Sequence, residues 1–467
     1  MKTCDPQVSG GNKFRKCLHY IVQFLRLSLI AFSIAVVAGI GAVLLTLLLH
    51  AVQSIVFGSA ESAIKPSPVG LSVFHYAAVP LIVMGFAACV WMWLWGKSSN
   101  RIVDIPHAVR GQSMPWDTTI IHVCLQIFIV GSGASLGREV APRELAAMLT
   151  QKFFRIIHVT EFQACVFVAS ASGAGLAGVY RSPIAGAIMA LGLIEVPRFA
   201  NKTQSYFQNF RGDWLVKKLG IFVIALFVST ISSYTSILLL GSESYYCLPS
   251  LNGLNVINIS VLLLAIIVGI ACGVVGILFH KIIRWARSNS ARNYQILYFL
   301  PIIGLVTGLL AVWNPAIMGN GRSLAQYAYS AARNNIAISE CMIITLVLLV
   351  FAKIILTTFT IRAGASGGVL QPSMSSGACV GLIMGVVGMN LPVVGEMLSS
   401  QPNMLVIAAI FGAASLLTAS RKSLWFALFL VAQLVNVPII MILPMILSCS
   451  ISRGIALVTK FSIANNI

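Results

Sequence analysis

Acidic side chains are scarce in this sequence. Only 12 Asp and Glu stand against 31 Lys and Arg, and charged residues of both signs make up 9% of the 467-residue chain. Soluble domains carry about 25% charged residues, so composition alone all but excludes a soluble globular enzyme. Clustered ligand spacings are also missing. The ten cysteines are scattered with no CxxC pair, and no HExxH occurs. Zinc sites need clustered spacing and disulfide frameworks belong to oxidising compartments; neither pattern is present, and most cysteines read as small apolar helix residues. An intramembrane enzyme would need a metal cluster, a Ser–His pair or a paired acidic constellation. The acids in apolar surroundings, chiefly Glu139 and Glu195, are not paired by spacing.

What is present is apolar length. Hydrophobic residues make up 58% of the chain, and no Asp, Glu, Lys or Arg occurs in 27–60, 66–96, 219–242, 244–280, 363–395 or 423–452. A membrane-spanning helix needs about 20 apolar residues, so the expectation is an all-α polytopic membrane protein. The net charge of +19 would suggest nucleic acid in a soluble chain. Here the basic residues cluster in connections, at 2–26, 97–110, 198–218 and 281–292, while 241–255 has none and 57–70 has only Lys65. No basic stripe with interleaved aromatics argues for nucleic acid. The asymmetry follows the positive-inside rule, which places the basic loops and the N-terminus in the cytoplasm, with attraction to anionic lipid as a consequence. The apolar run after Arg26 is too long for a signal-peptide core of about 7–15 residues, and a retained helix is expected.

Residues 1–26 read as a cytoplasmic lead-in, 27–241 as a first membrane half and 242–467 as a second. Long helices are expected at 27–57, 70–96, 216–241, 255–285, 295–313 and 339–361. Shorter pieces, mostly too short to cross alone, are expected at 118–131, 139–151, 163–180, 183–196, 372–390, 403–416, 423–436 and 438–452. Broken helices at membrane depth are tolerated only where protein or a water-filled cavity surrounds them, which suggests a solute pathway. The sequence also repeats. Gly133-Ala134-Ser135-Leu136-Gly137-Arg138-Glu139-Val140-Ala141-Pro142 resembles Gly364-Ala365-Ser366-Gly367-Gly368-Val369-Leu370-Gln371-Pro372 with one gap, and Gly173-Ala174 weakly matches Gly412-Ala413. Interrupted segments at matching places in two halves point to a transporter binding site.

Each repeat is a glycine-rich turn that opens a helix. A helix N-terminus exposes backbone N–H groups and about half a positive charge, and glycine admits a ligand with no Cβ in the way. Two such termini aimed at one point make an anion site without a full charge. Conduction needs binding strong enough to admit an ion and weak enough to release it. Glu139 opens the first of these helices; it can occupy the anion site itself, or be a plain helix-start acid. Arg138 is a local counter-charge or faces water. Lys353, inside an apolar helix, snorkels or binds a helix C-terminus. His122 and His280 read as ordinary helix residues, and Trp91, Trp93 and Trp95 as an interfacial belt.

Segments 131–142 and 364–372 resemble the signature of the CLC family of chloride channels and chloride/proton exchangers. Further matches are Arg181-Ser182-Pro183-Ile184-Ala185-Gly186, Gly319-Asn320-Gly321 and the helix of Lys353. The order and spacing of these segments resemble the family over about residues 25–465. The resemblance implies a CLC-like fold of two inverted halves and a homodimer with a pore in each subunit. It implies a transported chloride or similar anion with no cofactor, held near Gly137, Arg138, Val140, Gly368, Val369 and Leu370, with Glu139 as the gate. The family's central serine falls at Asn100, beside Ser99 and Ser98, or at Val103 on another alignment. Its central tyrosine falls near Phe461, which has no hydroxyl to donate. Its inner proton-carrying glutamate falls at Gly192 and Leu193, with Glu195 two residues on and about 200° around the helix. The missing carboxylate points to passive conduction; the alternative is chloride/proton exchange using Glu195 or a water file. The chain ends at Ile467, with no room expected for an appended regulatory domain. A prokaryotic inner membrane is the expected location.

Overall fold

The computed structural model describes residues 8–96, 102–194, 214–249, 258–333, 340–392, 394–399 and 403–464. Seventeen helices and no strands occur among them. In chain order they are α1 Val8–Phe57, α2 Val73–Gly96, α3 Ile105–Val109, α4 Trp116–Gly131, α5 Val140–Phe153, α6 Glu161–Tyr180, α7 Pro183–Ile194, α8 Trp214–Leu240 and α9 Ile259–Ser288. Then follow α10 Ile296–Trp313, α11 Arg322–Arg333, α12 Glu340–Arg362, α13 Leu370–Met389, α14 Val394–Ser399, α15 Met404–Arg421, α16 Leu424–Val435 and α17 Ile442–Ala464. Ten are long and apolar enough to span a bilayer, and the chain is an integral, multi-pass membrane protein.

The two faces of the molecule follow from its contacts. On one, Arg26 Nη2 donates to His158 O at 2.6 Å, and Gln151 Oε1 accepts from Met114 N at 2.8 Å. This gathers the N-terminal helix, the connection before α4 and the end of α5, all rich in Lys and Arg, and we call it the basic face. On the opposite face, Asn320 donates to Glu61, Ser323 to Pro66 O, Arg181 to Glu243 O and Gln326 Nε2 to Cys247 O. The connections 58–72, 241–249 and 314–321 meet there.

Helix ends follow local chemistry. Asp104 accepts from His107 N at the start of α3, and Thr160 with Gln163 forms a reciprocal capping box before α6, each satisfying an orphan N–H. Left-handed residues stop the helices that correspond in the two halves: Arg181 (φ 53°) after α6 and Lys422 (φ 57°) after α15. The weak Gly173–Gly412 match is also visible in packing. Gly173 lies against the carbonyl of Gly186, and Gly412 against the carbonyl of Gly377, as expected where small residues let membrane helices approach closely.

Three segments run longer than expected. Glu161–Tyr180, Leu370–Met389 and Met404–Arg421 each reach spanning length. Their Gly, Ser and Thr look like interruptions in sequence. In the fold these helices are the most enclosed of the ten, and α15 is buried over 94% of its most apolar window. Small and polar residues there face other helices rather than lipid. The belt expected at Trp91 is also corrected: Trp93 is exposed at 52%, but Trp91 is fully buried. Its indole N–H finds a buried partner, His122 Nδ1, at 3.0 Å.

A Cβ at Gly412 would come within 2.6 Å of Gly381 Cα, backbone against backbone. Gly412→Val should therefore lower the thermal-unfolding midpoint in detergent, at a cost of about 3 kcal/mol or more from overpacking. Gly220→Val, on α8 with open space around it, should change the midpoint little. Equal shifts in the two variants would contradict this packing.

Candidate functional site

The two glycine turns, 231 residues apart at Gly137 and Gly368, meet in space. Gly137 N donates to Gly368 O and Gly368 N to Gly137 O, each at 2.8 Å, as an isolated antiparallel bridge. Each turn begins with a glycine in the left-handed region, Gly133 at φ 105° and Gly364 at φ 106°, where a side chain is strained. The repeat read in the sequence is thus a repeat of backbone conformation. The bridge consumes four of the polar groups, two N–H and two C=O, that broken backbone leaves exposed at membrane depth.

Glu139 is the N-cap residue of α5 and is 1% exposed. Its carboxylate does not cap its own helix. It crosses to the other half, where Oε1 accepts from Leu370 N, the first residue of α13, at 2.6 Å. Tyr180 OH reaches Oε2 at 3.4 Å. A Cβ at either Gly137 or Gly368 would overlap this carboxylate. A negative group therefore lies between the glycines, against a helix N-terminus, the arrangement that P-loops and similar anion sites use. Val369, the N-cap of α13, and Leu370 are 6% and 2% exposed. Val140 begins α5 and is partly exposed.

Arg138 is 4% exposed and does not face water. It joins a charged knot on the opposite face with Glu61, to whose Oε1 its Nη1 lies 3.9 Å and the Arg322 Nη1 3.6 Å. Asn320 Nδ2 donates to the same oxygen at 3.4 Å, and Gln53 Nε2 to Oε2 at 3.2 Å. Arg322 also donates twice to Tyr245 O and lies 4.4 Å over the Tyr245 ring. Tyr180, Tyr245, Tyr246 and Tyr329 then stack edge to face, with successive centroids 5.8, 4.9 and 5.2 Å apart. Such pairs contribute about 0.5–1.5 kcal/mol each beyond area burial. Gln371 donates to Tyr246 OH at 2.6 Å, tying the ladder to the first turn of α13. Sequence reading missed Glu61 and the tyrosines. A lone acid in the connection 57–70, where Lys65 is the only base, was the available signal for Glu61.

Lys353 is fully buried on α12, and its Nζ donates to Ile317 O and Gly319 O at 2.8 Å each. Gly319 N in turn donates to Gly133 O at 2.9 Å. This cation from the second half thus braces the glycine turn of the first. It binds turn carbonyls and does not approach the Glu139 carboxylate through any hydrogen bond among the described residues.

Other expected positions carry less. Ser99, Asn100 and Glu195 lie outside the described residues, as does the side chain of Phe461. Val103 is buried in an apolar cluster with Ile105 and Val109. Gly192 is exposed with open space beside it, and Leu193 packs on that same apolar cluster.

With the site assembled, the comparisons decide the family. The sequence profile described as voltage gated chloride channel matches residues 84–457. The chain belongs to the CLC family. It is 23% identical over 416 residues to the voltage-gated ClC-type chloride channel ClcB of Salmonella typhi, covering 86% of this chain and 88% of that one. It is 26% identical over 338 residues to the H(+)/Cl(-) exchange transporter ClcA of Cronobacter sakazakii, covering 71% and 64%. Among solved structures, a slow cyanobacterial Cl-/H+ antiporter superposes with a TM-score of 0.71 at 18% identity, covering 92% of this chain and 94% of that one. A CLC-type fluoride/proton antiporter gives 0.67 at 20% identity, covering 93% and 96%. The CLC fold expected from the glycine turns is the fold found.

The charged groups of the knot, Glu61, Arg138 and Arg322, lie outside the spanning helices and yield a pH prediction. Burial pushes the Glu61 carboxyl up, but Arg138, Arg322 and the Gln53 amide hold it below its ordinary value. A carboxyl depressed on folding stabilises the fold above its unfolded value, near 4.3, and that contribution is lost as pH falls through the folded value. The unfolding midpoint should hold from pH 7 to about 5 and drop below about 4. Glu61→Gln leaves two buried guanidinium groups uncompensated. It should cost about 3–5 kcal/mol at pH 7 and blunt the acid drop. A variant as stable as wild type, with an unchanged acid limb, would contradict the knot.

Proposed function

We propose that the chain carries chloride or a similar small anion across the membrane, along a path in each subunit gated by Glu139. The observation that supports this most is the Glu139 carboxylate seated between Gly137 and Gly368 on the Leu370 N–H. An oxygen anion at that point stands in for a transported anion. When the carboxylate is protonated or swings out, the same backbone donors are free for the ion. Binding by backbone dipoles, with no full positive charge in contact, is weak enough to release it. Arg138 acts at one remove: its guanidinium helps fix the Glu61 knot above the turn. The activity is transport with no cofactor. The family resemblance supports a homodimer with two independent pores. The distribution of Lys and Arg supports a cytoplasmic basic face, and the proposed location is a prokaryotic inner membrane.

A second reading concerns coupling. The absence of a carboxylate at Gly192 and Leu193 argued for passive conduction. Glu144, a buried carboxylate on the basic-face side of Glu139 and 6% exposed, removes that argument and favours proton-coupled exchange.

Glu139→Gln should make anion flux in liposomes larger or less dependent on pH, because no titratable group then competes with the ion. Unchanged flux with an unchanged pH response would rule out Glu139 as the gate. Gly137→Val and Gly368→Val should each weaken calorimetric anion binding at least tenfold, about 1.4 kcal/mol, in protein that remains folded. Intact affinity in both variants would place the ion elsewhere.

A further inference from the structure

A column of buried polar side chains runs into the protein from the basic face, and neither the gate nor the glycine turns use it. On α4, Thr118, His122 and Gln126 recur every four residues and are 0%, 3% and 1% exposed. They form one stripe along a helix that beyond its first turn is otherwise apolar, since residues four apart share a face. The stripe faces Glu144 of α5. Gln126 Nε2 donates to Glu144 Oε2 at 2.7 Å, and His122 Nε2 lies 3.7 Å from the same oxygen.

The tautomer of His122 follows from its other partner. Trp91 Nε1 donates to His122 Nδ1 at 3.0 Å, and an indole nitrogen is a donor only. Nδ1 is therefore the acceptor, and the imidazole proton sits on Nε2, on the side of Glu144. A second proton on Nδ1 would oppose the indole N–H, so His122 stays neutral while this bond lasts. Glu144 is thus the member of the column free to gain and lose a proton. Two polar atoms in the column have no hydrogen-bond partner among the described residues, Thr118 Oγ1 toward the basic face and Gln126 Oε1 beside the carboxylate. Unpartnered buried polar atoms mark places for water. Glu144 follows Glu139 by five residues on one helix, about 7.5 Å along the axis and about 140° around it, so a proton passing between them travels through water rather than by direct contact.

A buried carboxylate is costly at membrane depth, and a neutral amide in its place would keep the bond to Gln126. Retaining an acid there is explained by a need for its proton. We propose that Glu144 is the proton carrier of the basic-face half of the path, taking the role that Gly192 and Leu193 cannot fill, with Trp91, His122 and Gln126 as positioning residues. This rests on the proton-coupled reading of the transport. The step is a proton transfer alone. A Glu144 carboxylate oxygen takes a proton from water on the basic-face side, forming one O–H bond as the water O–H bond breaks. It releases the proton through water to the Glu139 carboxylate, which then leaves the glycine pair. The other groups facing Glu144 electrostatically are Arg143 on its own helix and Asp104 at the start of α3. Both bear on the pH at which the transfer runs.

The test is a chloride gradient across liposomes holding the purified protein, with no pH gradient, the voltage clamped by a potassium ionophore, and a proton-sensitive dye. Wild type should drive protons uphill. Glu144→Gln should move chloride with the proton-to-chloride ratio lowered at least tenfold, and Glu144→Asp should recover part of the coupling. Gln126→Leu, which leaves the carboxylate but removes its donor, should shift the pH profile of coupling. That variant carries the test if Glu144→Gln does not fold. Wild type that pumps, with Glu144→Gln pumping at the same ratio or the Gln126→Leu profile unmoved, would overturn the assignment and direct attention to Glu195. Wild type that moves no protons would overturn proton coupling itself, and the role of Glu144 with it.

Discussion

Broken backbone inside a membrane must find partners for its N–H and C=O groups, and this molecule is arranged around one answer to that demand. The glycine turns of the two halves pair with each other at Gly137 and Gly368. The first free N–H of α13 is taken by the carboxylate of Glu139 from the other half. Each half thus supplies what the other lacks. The first gives the anion, the second the helix terminus, and the site exists only where both are folded together.

The surroundings hold this junction from two sides. Lys353, from the second half, braces the turn at Gly319 that in turn holds Gly133. A buried ammonium is costly without partners, and here two carbonyls supply them. On the face opposite the basic one, Glu61 takes Arg138 and Arg322 into one knot. The residue next to the gate is thereby fixed, while the Glu139 carboxylate is held by single hydrogen bonds such as those from Leu370 N and Tyr180 OH. That contrast suits a side chain that moves beside neighbours that do not.

Much of this was legible in the sequence because it is local. The glycine turns, the acid that opens α5 and the family resemblance all sit in short contiguous segments, and matched turns predicted matched backbone. The parts that were not legible depend on partners far apart in the chain. Glu61 meets Arg138 and Arg322 across separations of 77 and 261 residues. Trp91 looked like one of three interfacial tryptophans until its neighbours enclosed it. His122 looked ordinary because its partner Glu144 lies on another helix. The four-residue spacing of Thr118, His122 and Gln126 was visible, but only the packing of α5 against α4 gives the stripe a purpose. The lengths of α6, α13 and α15 were underestimated for a related reason: glycine and serine break a lipid-facing helix pattern but suit a helix enclosed by other helices.

The central claim is that the carboxylate of Glu139 and the transported anion compete for one position. Crystals of wild type and Glu139→Gln grown in bromide would test it most directly, through the anomalous signal of the ion. The account predicts a bromide peak between Gly137 and Gly368, within reach of the Leu370 N–H, when the carboxylate is gone, and none at that point while Glu139 occupies it. A bromide peak there beside an undisplaced Glu139 carboxylate, or no peak there in the variant, would contradict it.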